Sequence, residues 1–204
     1  MRYFVTAIGT DSGKTLVSAI LCDALGLDYW KPIQSGSERD IDTVFALTSE
    51  DMVCFPEKYL LKTPESPHAA ARKDGVEIEL DEIVIPESEN LLIEGAGGLM
   101  VPLNDYDLMI DLIKKLDVPV ILVSNTYLGS INHTLLSCEL LKQNNIKVAG
   151  IVFNGEENKE TESIIEKKSG YPVLLRIPQL SEVNRGSIAE YVKSIKKDLN
   201  EKLK

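Results

Sequence analysis

The sequence predicts an α/β fold in which one parallel β-sheet is covered by helices on both faces. Three observations carry this. Short apolar runs alternate with helical stretches along the 204-residue chain, the pattern of repeated strand–helix–strand units. The runs are rich in β-branched residues and bounded by Gly, Pro or Asn, as strands buried on both faces are. The length fits one domain, residues 1–204, large enough for a core without disulfides or structural metal.

The elements follow in order. "YFVTAI" (Tyr3–Ile8) reads as the first strand, and Thr15–Leu25 as the helix behind it. "LDYWKPI" (Leu27–Ile33) is a weaker strand, and Ile41–Thr48 is the second helix. Tyr59–Pro86 breaks the rhythm with Pro64, Pro67 and Pro86, and is expected to pack as an excursion near the sheet's edge. Regular alternation then resumes with "LLIE" (Leu91–Glu94), helix Leu108–Leu116, "PVILVSN" (Pro119–Asn125) and helix Ile131–Asn144. "VAGIVFN" (Val148–Asn154), helix Glu157–Ser169, "PVLLRI" (Pro172–Ile177) and helix Ser187–Leu203 complete it. No repeat, low-complexity tract or linker divides the chain.

The composition is 44% hydrophobic and 26% charged, ordinary for a globular enzyme. A net charge of −10 argues against nucleic-acid or anionic-membrane surfaces, which need clustered cations. Cys22, Cys54 and Cys138 are odd in number and widely spaced. That suits reduced thiols and offers no metal-ligand spacing. With no leader or membrane-length apolar run recognised, a cytoplasmic location is expected.

"GTDSGKT" (Gly9–Thr15) lies between the first strand and the first helix. A full phosphate-binding P-loop reads G-x-x-x-x-G-K-[ST] and requires glycine at position 8, where Ile8 stands. Backbone N–H groups of Asp11, Ser12 and Gly13 at a helix start still favour phosphate. Lys14 is placed for the β- and γ-phosphates and the Thr15 hydroxyl for Mg²⁺. The alternative is an ordinary strand–turn–helix connection.

In "EGAGG", Glu94 ends a buried strand and the glycines let a loop approach a ligand closely. Glu94 is thus placed to hold Mg²⁺, the alternative being a capped glycine turn. Asp42 stands among Glu38 and Asp40, where a solvated acidic turn is the other reading. Mg²⁺ takes one or two carboxylates, waters and nucleotide phosphates, and Thr15, Asp42 and Glu94 would supply the protein's share. Lys31 ends the weak strand; a snorkelling surface lysine is the alternative there. The "LGSINH" stretch (Leu128–His133) opens a helix, where the amides of Gly129, Ser130 and Ile131 suit a carboxylate. Taken alone, Asn132 reads as a cap, and both His133 and His68 as structural.

The ordered blocks "GTDSGKT", "YWKPIQSG", "ERDIDTVF", "SPHAAARKDG", "LLIEGAGGLMVPL" and "NTYLGSINHTLLS" closely resemble the dethiobiotin synthetase family from Arg2 to about Asn154. The family writes a Gly where Ala7 stands; the loop length matches. The resemblance implies a single-domain P-loop NTPase-like fold and an ATP- and Mg²⁺-dependent ligase. It would carboxylate 7,8-diaminopelargonate with CO₂ and close the ring to dethiobiotin, through a carbamate and a carbamic–phosphoric anhydride. By the same resemblance Lys14 and Lys31 stabilise the migrating phosphoryl group, while Thr10 and Ser35 contact substrate. Asp42, rather than Asp40, matches the family's metal-binding Asp. Leu128–Asn132 would bind the substrate's tail carboxylate across a homodimer interface. Asn154 and the turn Pro178, Gln179 and Leu180 would line the adenine pocket, with Glu182 at the ribose. The absence of a nucleophile–base pair fits a route without a covalent enzyme intermediate. Alternatives are another P-loop ligase or small-molecule kinase, or a partner-regulating P-loop ATPase. The last class carries an additional lysine early in its loop, and here Gly9, Thr10, Asp11 and Ser12 precede Gly13.

Overall fold

Five strands of unbroken apolar sequence can be satisfied only by a sheet covered on both faces, and the computed structural model, which describes residues 1–49 and 51–203, has one. Its strands are β1 (Arg2–Ala7), β2 (Asp28–Trp30), β3 (Ile33–Ser35), β4 (Cys54–Phe55), β5 (Tyr59–Leu61), β6 (Leu91–Gly98), β7 (Val120–Asn125), β8 (Val148–Asn154) and β9 (Val173–Ile177). The helices are α1 (Lys14–Leu25), α2 (Asp40–Leu47), α3 (Pro67–Asp74), α4 (Met109–Leu116), α5 (Ser130–Gln143), α6 (Lys159–Ser169) and α7 (Arg185–Lys202). The main sheet has seven strands in the order β4-β2-β6-β1-β7-β8-β9, every pair parallel. Parallel neighbours need crossovers, and helices supply most of them.

Side-chain alternation along β1 explains the two-sided core. Tyr3, Val5 and Ala7 join the apolar cluster beneath α1, α2 and α7, whereas Phe4 joins the cluster of α3, α4 and part of α5. A third cluster places Cys138 of α5 and Ile165 of α6 against Leu122, Ile151 and Phe153. The net result is a sheet packed on both faces, with the carboxyl ends of its strands opening on one edge.

Two sequence expectations change. The weak strand Leu27–Ile33 is two strands, β2 and β3, separated at Lys31 and Pro32. Pro32 has no N–H to give a ladder, and its carbonyl instead accepts the Tyr59 N–H at 2.9 Å. The excursion is also ordered: β5 pairs in parallel with β3 as a separate two-stranded sheet, and α3 follows. Pro67 opens α3 without cost, because its missing N–H is unpaired in a first turn anyway.

Candidate nucleotide and substrate site

The loop Ile8–Gly13 leaves β1 at the carboxyl edge and delivers its end to α1. Gly13 takes φ +85°, and a Cβ there would lie 2.1 Å from Nδ2 of Asn154. The backbone hand calls for glycine, and a Cβ would also push aside the Asn154 amide. The Asn154 amide donates to the Ser12 carbonyl at 3.1 Å, bracing the loop from the end of β8. Ser12 Oγ donates to the Gly9 carbonyl at 3.1 Å. The loop is thus built by local bonds without a glycine at position 8. Lys14 is buried and lies 3.5 Å from the Gly9 carbonyl. Burial lowers its pKa; Glu94 opposes that, and Lys31 adds to it.

Beside the loop is a cavity of about 630 Å³. It brings together Thr10, Asp11, Gly13, Lys14, Thr15, Lys31, Ser35 and Glu94, all singled out in the sequence. Glu94 is fully buried on β6. Its Oε2 accepts from Ser18 Oγ at 2.6 Å and from Tyr29 OH at 3.1 Å. Its Oε1 accepts from Lys31 Nζ at 3.1 Å and from Thr15 Oγ1 at 3.4 Å. Lys31 also bonds Asp40 Oδ2. Burial alone would lower the Lys31 pKa, but Glu94 and Asp40 outweigh it and hold the ammonium above its ordinary range. The bland reading of Lys31 as a snorkelling surface lysine does not survive this placement, since only 6% of the residue is exposed.

Asp42 stands apart from the crevice. Asp40 lines the cavity, whereas the Asp42 side chain is 72% exposed and lies 4.0 Å from Arg39. Two contacts outside the helix set this phase. The Gln34 carboxamide oxygen accepts the Asp40 N–H at 3.2 Å, and Arg39 forms a two-pronged pair with the nearly buried Glu57 at 3.0 and 2.6 Å. The carboxylate that shares the crevice with Glu94 and Thr15 is Asp40.

The remaining expected residues are not in this cavity. Leu128–Asn132 lie at the start of α5, with Leu128 fully exposed and Ser130 buried. Pro178 and Gln179 are exposed beyond β9, Leu180 packs on the core, and Glu182 accepts from the capping Asn184 amide at 3.2 Å. Because Asn154 pairs with Ile177, that turn stands beside the phosphate loop. The histidines are held locally: His68 Nδ1 is 3.0 Å from Ser66 Oγ, and His133 Nδ1 is 2.6 Å from Tyr127 OH. Sequence reasoning missed Gln34, and also Pro64, Glu65, Ser66 and Pro67, which wall the cavity from the excursion. The "SPHAA" block and the glutamine within "KPIQSG" were the signals available.

Among the described residues no three or more His, Cys, Asp or Glu stand together as a metal cage. Two carboxylates and a hydroxyl around one polar crevice are nonetheless the hard-oxygen share that Mg²⁺ takes when phosphates and waters supply the rest. The Lys31 ammonium bridges both carboxylates and holds them on one side of the crevice.

Residues 1–187 match the family model described as an AAA domain. The chain is 55% identical to the ATP-dependent dethiobiotin synthetase BioD of Cytophaga hutchinsonii, covering 93% of this chain and 94% of that one. It is 49% identical to the same-named protein of Christiangramia forsetii, with 98% of each covered. The chain belongs to the ATP-dependent dethiobiotin synthetase family. Membership makes it an enzyme, a ligase on a P-loop nucleotide-binding fold. The fold of this dethiobiotin synthetase family member extends further. The cell division ATPase MinD of Pyrococcus furiosus aligns with TM-score 0.61 at 18% identity, covering 99% of this chain and 98% of that one. A ParA family ATPase of Chlorobium tepidum aligns at 0.56 and 19%, covering 99% and 95%. At such identity only the fold is shared.

Proposed function

We propose that this enzyme makes dethiobiotin from 7,8-diaminopelargonate, CO₂ and ATP. The observation that carries the reading is the single crevice in which Lys14, Lys31, Thr15, Asp40 and Glu94 converge beside the phosphate loop. In the proposed sequence one substrate amine forms an N–C bond to CO₂ and loses a proton, giving a carbamate. A carbamate oxygen attacks the γ-phosphorus, and the bond to ADP breaks. The second amine then attacks the carbonyl carbon of the anhydride, phosphate leaves, and the cyclic urea forms with loss of a proton.

Thr15, Asp40 and Glu94 would hold Mg²⁺. When bound, the ion neutralises phosphate charge and orients the β- and γ-phosphates. Lys14 grips the phosphates from the loop. Lys31, from another strand end, stabilises negative charge on the carbamate and the migrating phosphoryl group. Thr10 and Ser35 orient the diamine; Ser35 Oγ is buried with no hydrogen-bond partner among the described residues, as a group reserved for a ligand would be. The step depends mainly on positioning and electrostatics.

Asn154 and the Pro178–Gln179–Leu180 turn flank the adenine, with Glu182 toward the ribose. The start of α5, Leu128–Asn132, completes the diamine site of a second copy in a homodimer. Exposed Leu128, Ile131, Leu136 and Met100 support this. So does a groove of about 420 Å³ running from Ile8 and Thr10 to His133 and Leu136. The location is cytoplasmic in this reading. The test is ADP release with the diamine and bicarbonate present or omitted, with the cyclic urea detected by mass spectrometry and the oligomer by sedimentation. The diamine should stimulate ADP release and yield dethiobiotin from a dimer. Diamine-independent hydrolysis without cyclic urea would refute the reaction, and a fully active monomer would refute the shared site.

A further inference from the structure

We propose that the hydroxyls of Tyr29 and Ser18 are positioning groups that lock Glu94 so that only its Oε1 faces the cavity. The two oxygens of Glu94 are used differently. Oε2 points inward and receives both hydroxyls, at 2.6 Å from Ser18 and 3.1 Å from Tyr29. Oε1 points to the crevice, where Lys31 and Thr15 meet it. A carboxylate removed from water must be hydrogen-bonded, and O–H donors to a charged oxygen form the stronger bonds.

The donors come from the two elements that flank Glu94. Tyr29 lies on β2, in register with Leu92 two residues before Glu94, and is fully buried. Ser18 is fully buried on α1, three residues after Thr15 and therefore on the same helix face. The phosphate-loop helix that carries Thr15 thus also carries a clamp for the opposing carboxylate. Neither residue reaches the cavity, so neither is a catalytic residue.

The inference rests on Glu94 as a metal ligand, and the experiment separates the two claims. Mn²⁺ binding is titrated by the loss of its free-ion EPR signal, with protein in excess over ATP so that free nucleotide does not chelate the ion, in wild type and in Tyr29→Phe, Ser18→Ala, Ser18→Thr and Glu94→Gln. Metal-free ATP affinity is measured by calorimetry in chelator. Removing an outer partner of a metal ligand typically weakens the metal by roughly 10–100-fold. Tyr29→Phe and Ser18→Ala should each fall in that range, Ser18→Thr should recover most of the loss, and metal-free ATP affinity should stay within about twofold. If Tyr29→Phe does not fold, the serine pair carries the test. Unchanged Mn²⁺ affinity in Ser18→Ala or a folded Tyr29→Phe, with Glu94→Gln weakened, overturns the positioning role alone. A parallel fall in metal-free ATP affinity overturns it too, because it marks a distorted loop. Unchanged Mn²⁺ affinity in Glu94→Gln removes the metal assignment and this inference with it.

Discussion

Lys31→Ala tests whether the central cation of the crevice serves the fold, the chemistry or both. The Lys31 side chain is 7% exposed and contacts Glu94, which is fully buried, and Asp40, which is 27% exposed. Breaking a buried pair by deleting one partner costs about 3–5 kcal/mol, because a charge is left uncompensated. Two features pull this toward the lower end: Asp40 can rehydrate, and Glu94 keeps Ser18, Tyr29 and Thr15. We expect about 3 kcal/mol. At roughly 2–4 °C per kcal/mol for a chain of this size, the melting temperature should fall by about 6–12 °C. Glu94→Gln should reverse part of that loss in the double variant, with a coupling of about 0.5–3 kcal/mol.

The kinetic effect is separable. Lys31 enters from a strand end, not from the phosphate loop, so ATP affinity should change little. Single-turnover phosphate release should slow roughly 10²–10³-fold, as when one transition-state donor is lost. Lys14→Ala should instead weaken ATP binding and turnover together, and Lys31→Arg should not restore the rate, since a planar fork replaces a compact ammonium. Calorimetry, thermal melting and quench-flow on the folded variants supply the numbers. Normal turnover by Lys31→Ala, with a melting temperature within about 2 °C of wild type, would sink the reasoning at both levels.

Two further outcomes follow from the same geometry. Asp40→Asn should lower Mg²⁺-dependent turnover by at least about the 10–100-fold typical of outer metal partners, whereas Asp42→Asn should stay within about twofold; equal loss in both variants, measured against Mg²⁺ concentration, would reject the assignment. Cys54 and Cys138 have thiol pKa values pushed up to about 11, chiefly by burial. The thiolate is the reactive form and a higher pKa leaves less of it, so iodoacetamide labelling at pH 8 should run roughly 100-fold below a free thiol and rise toward pH 11. Rapid labelling at pH 8, followed by peptide mass spectrometry, would contradict that.

Much of this site could be read from short sequence spans because its parts are local. The strand–loop–helix around Lys14 and the buried strand ending in Glu94 are both contiguous signals. What could not be read depends on distant partners. The break between β2 and β3 needs Pro32, but the strand that uses it, β5, comes from a segment with no alternating pattern. The wall formed by Pro64–Pro67 follows from that pairing, not from any periodicity of its own.

The choice between Asp40 and Asp42 shows the same limit most sharply. Ile41, Val44 and Leu47 form the apolar stripe of α2 and bury it in the first core cluster. At about 100° per residue, Asp40 and Asp42 flank Ile41 on opposite sides of that stripe, roughly 200° apart. The period therefore guarantees that one faces the crevice and the other faces water, yet is symmetric about which. Symmetry is broken only by where the strand ends lie, through the Gln34 bond to the Asp40 N–H and the Arg39–Glu57 pair. Glu57 and Gln34 are neither near each other in sequence nor marked by any motif of metal binding. If Glu57→Gln loosens that pair, Mg²⁺ dependence should weaken through Asp40 while Glu94 remains in place. A Glu57→Gln variant with wild-type Mg²⁺ dependence would show that Gln34 alone sets the helix phase.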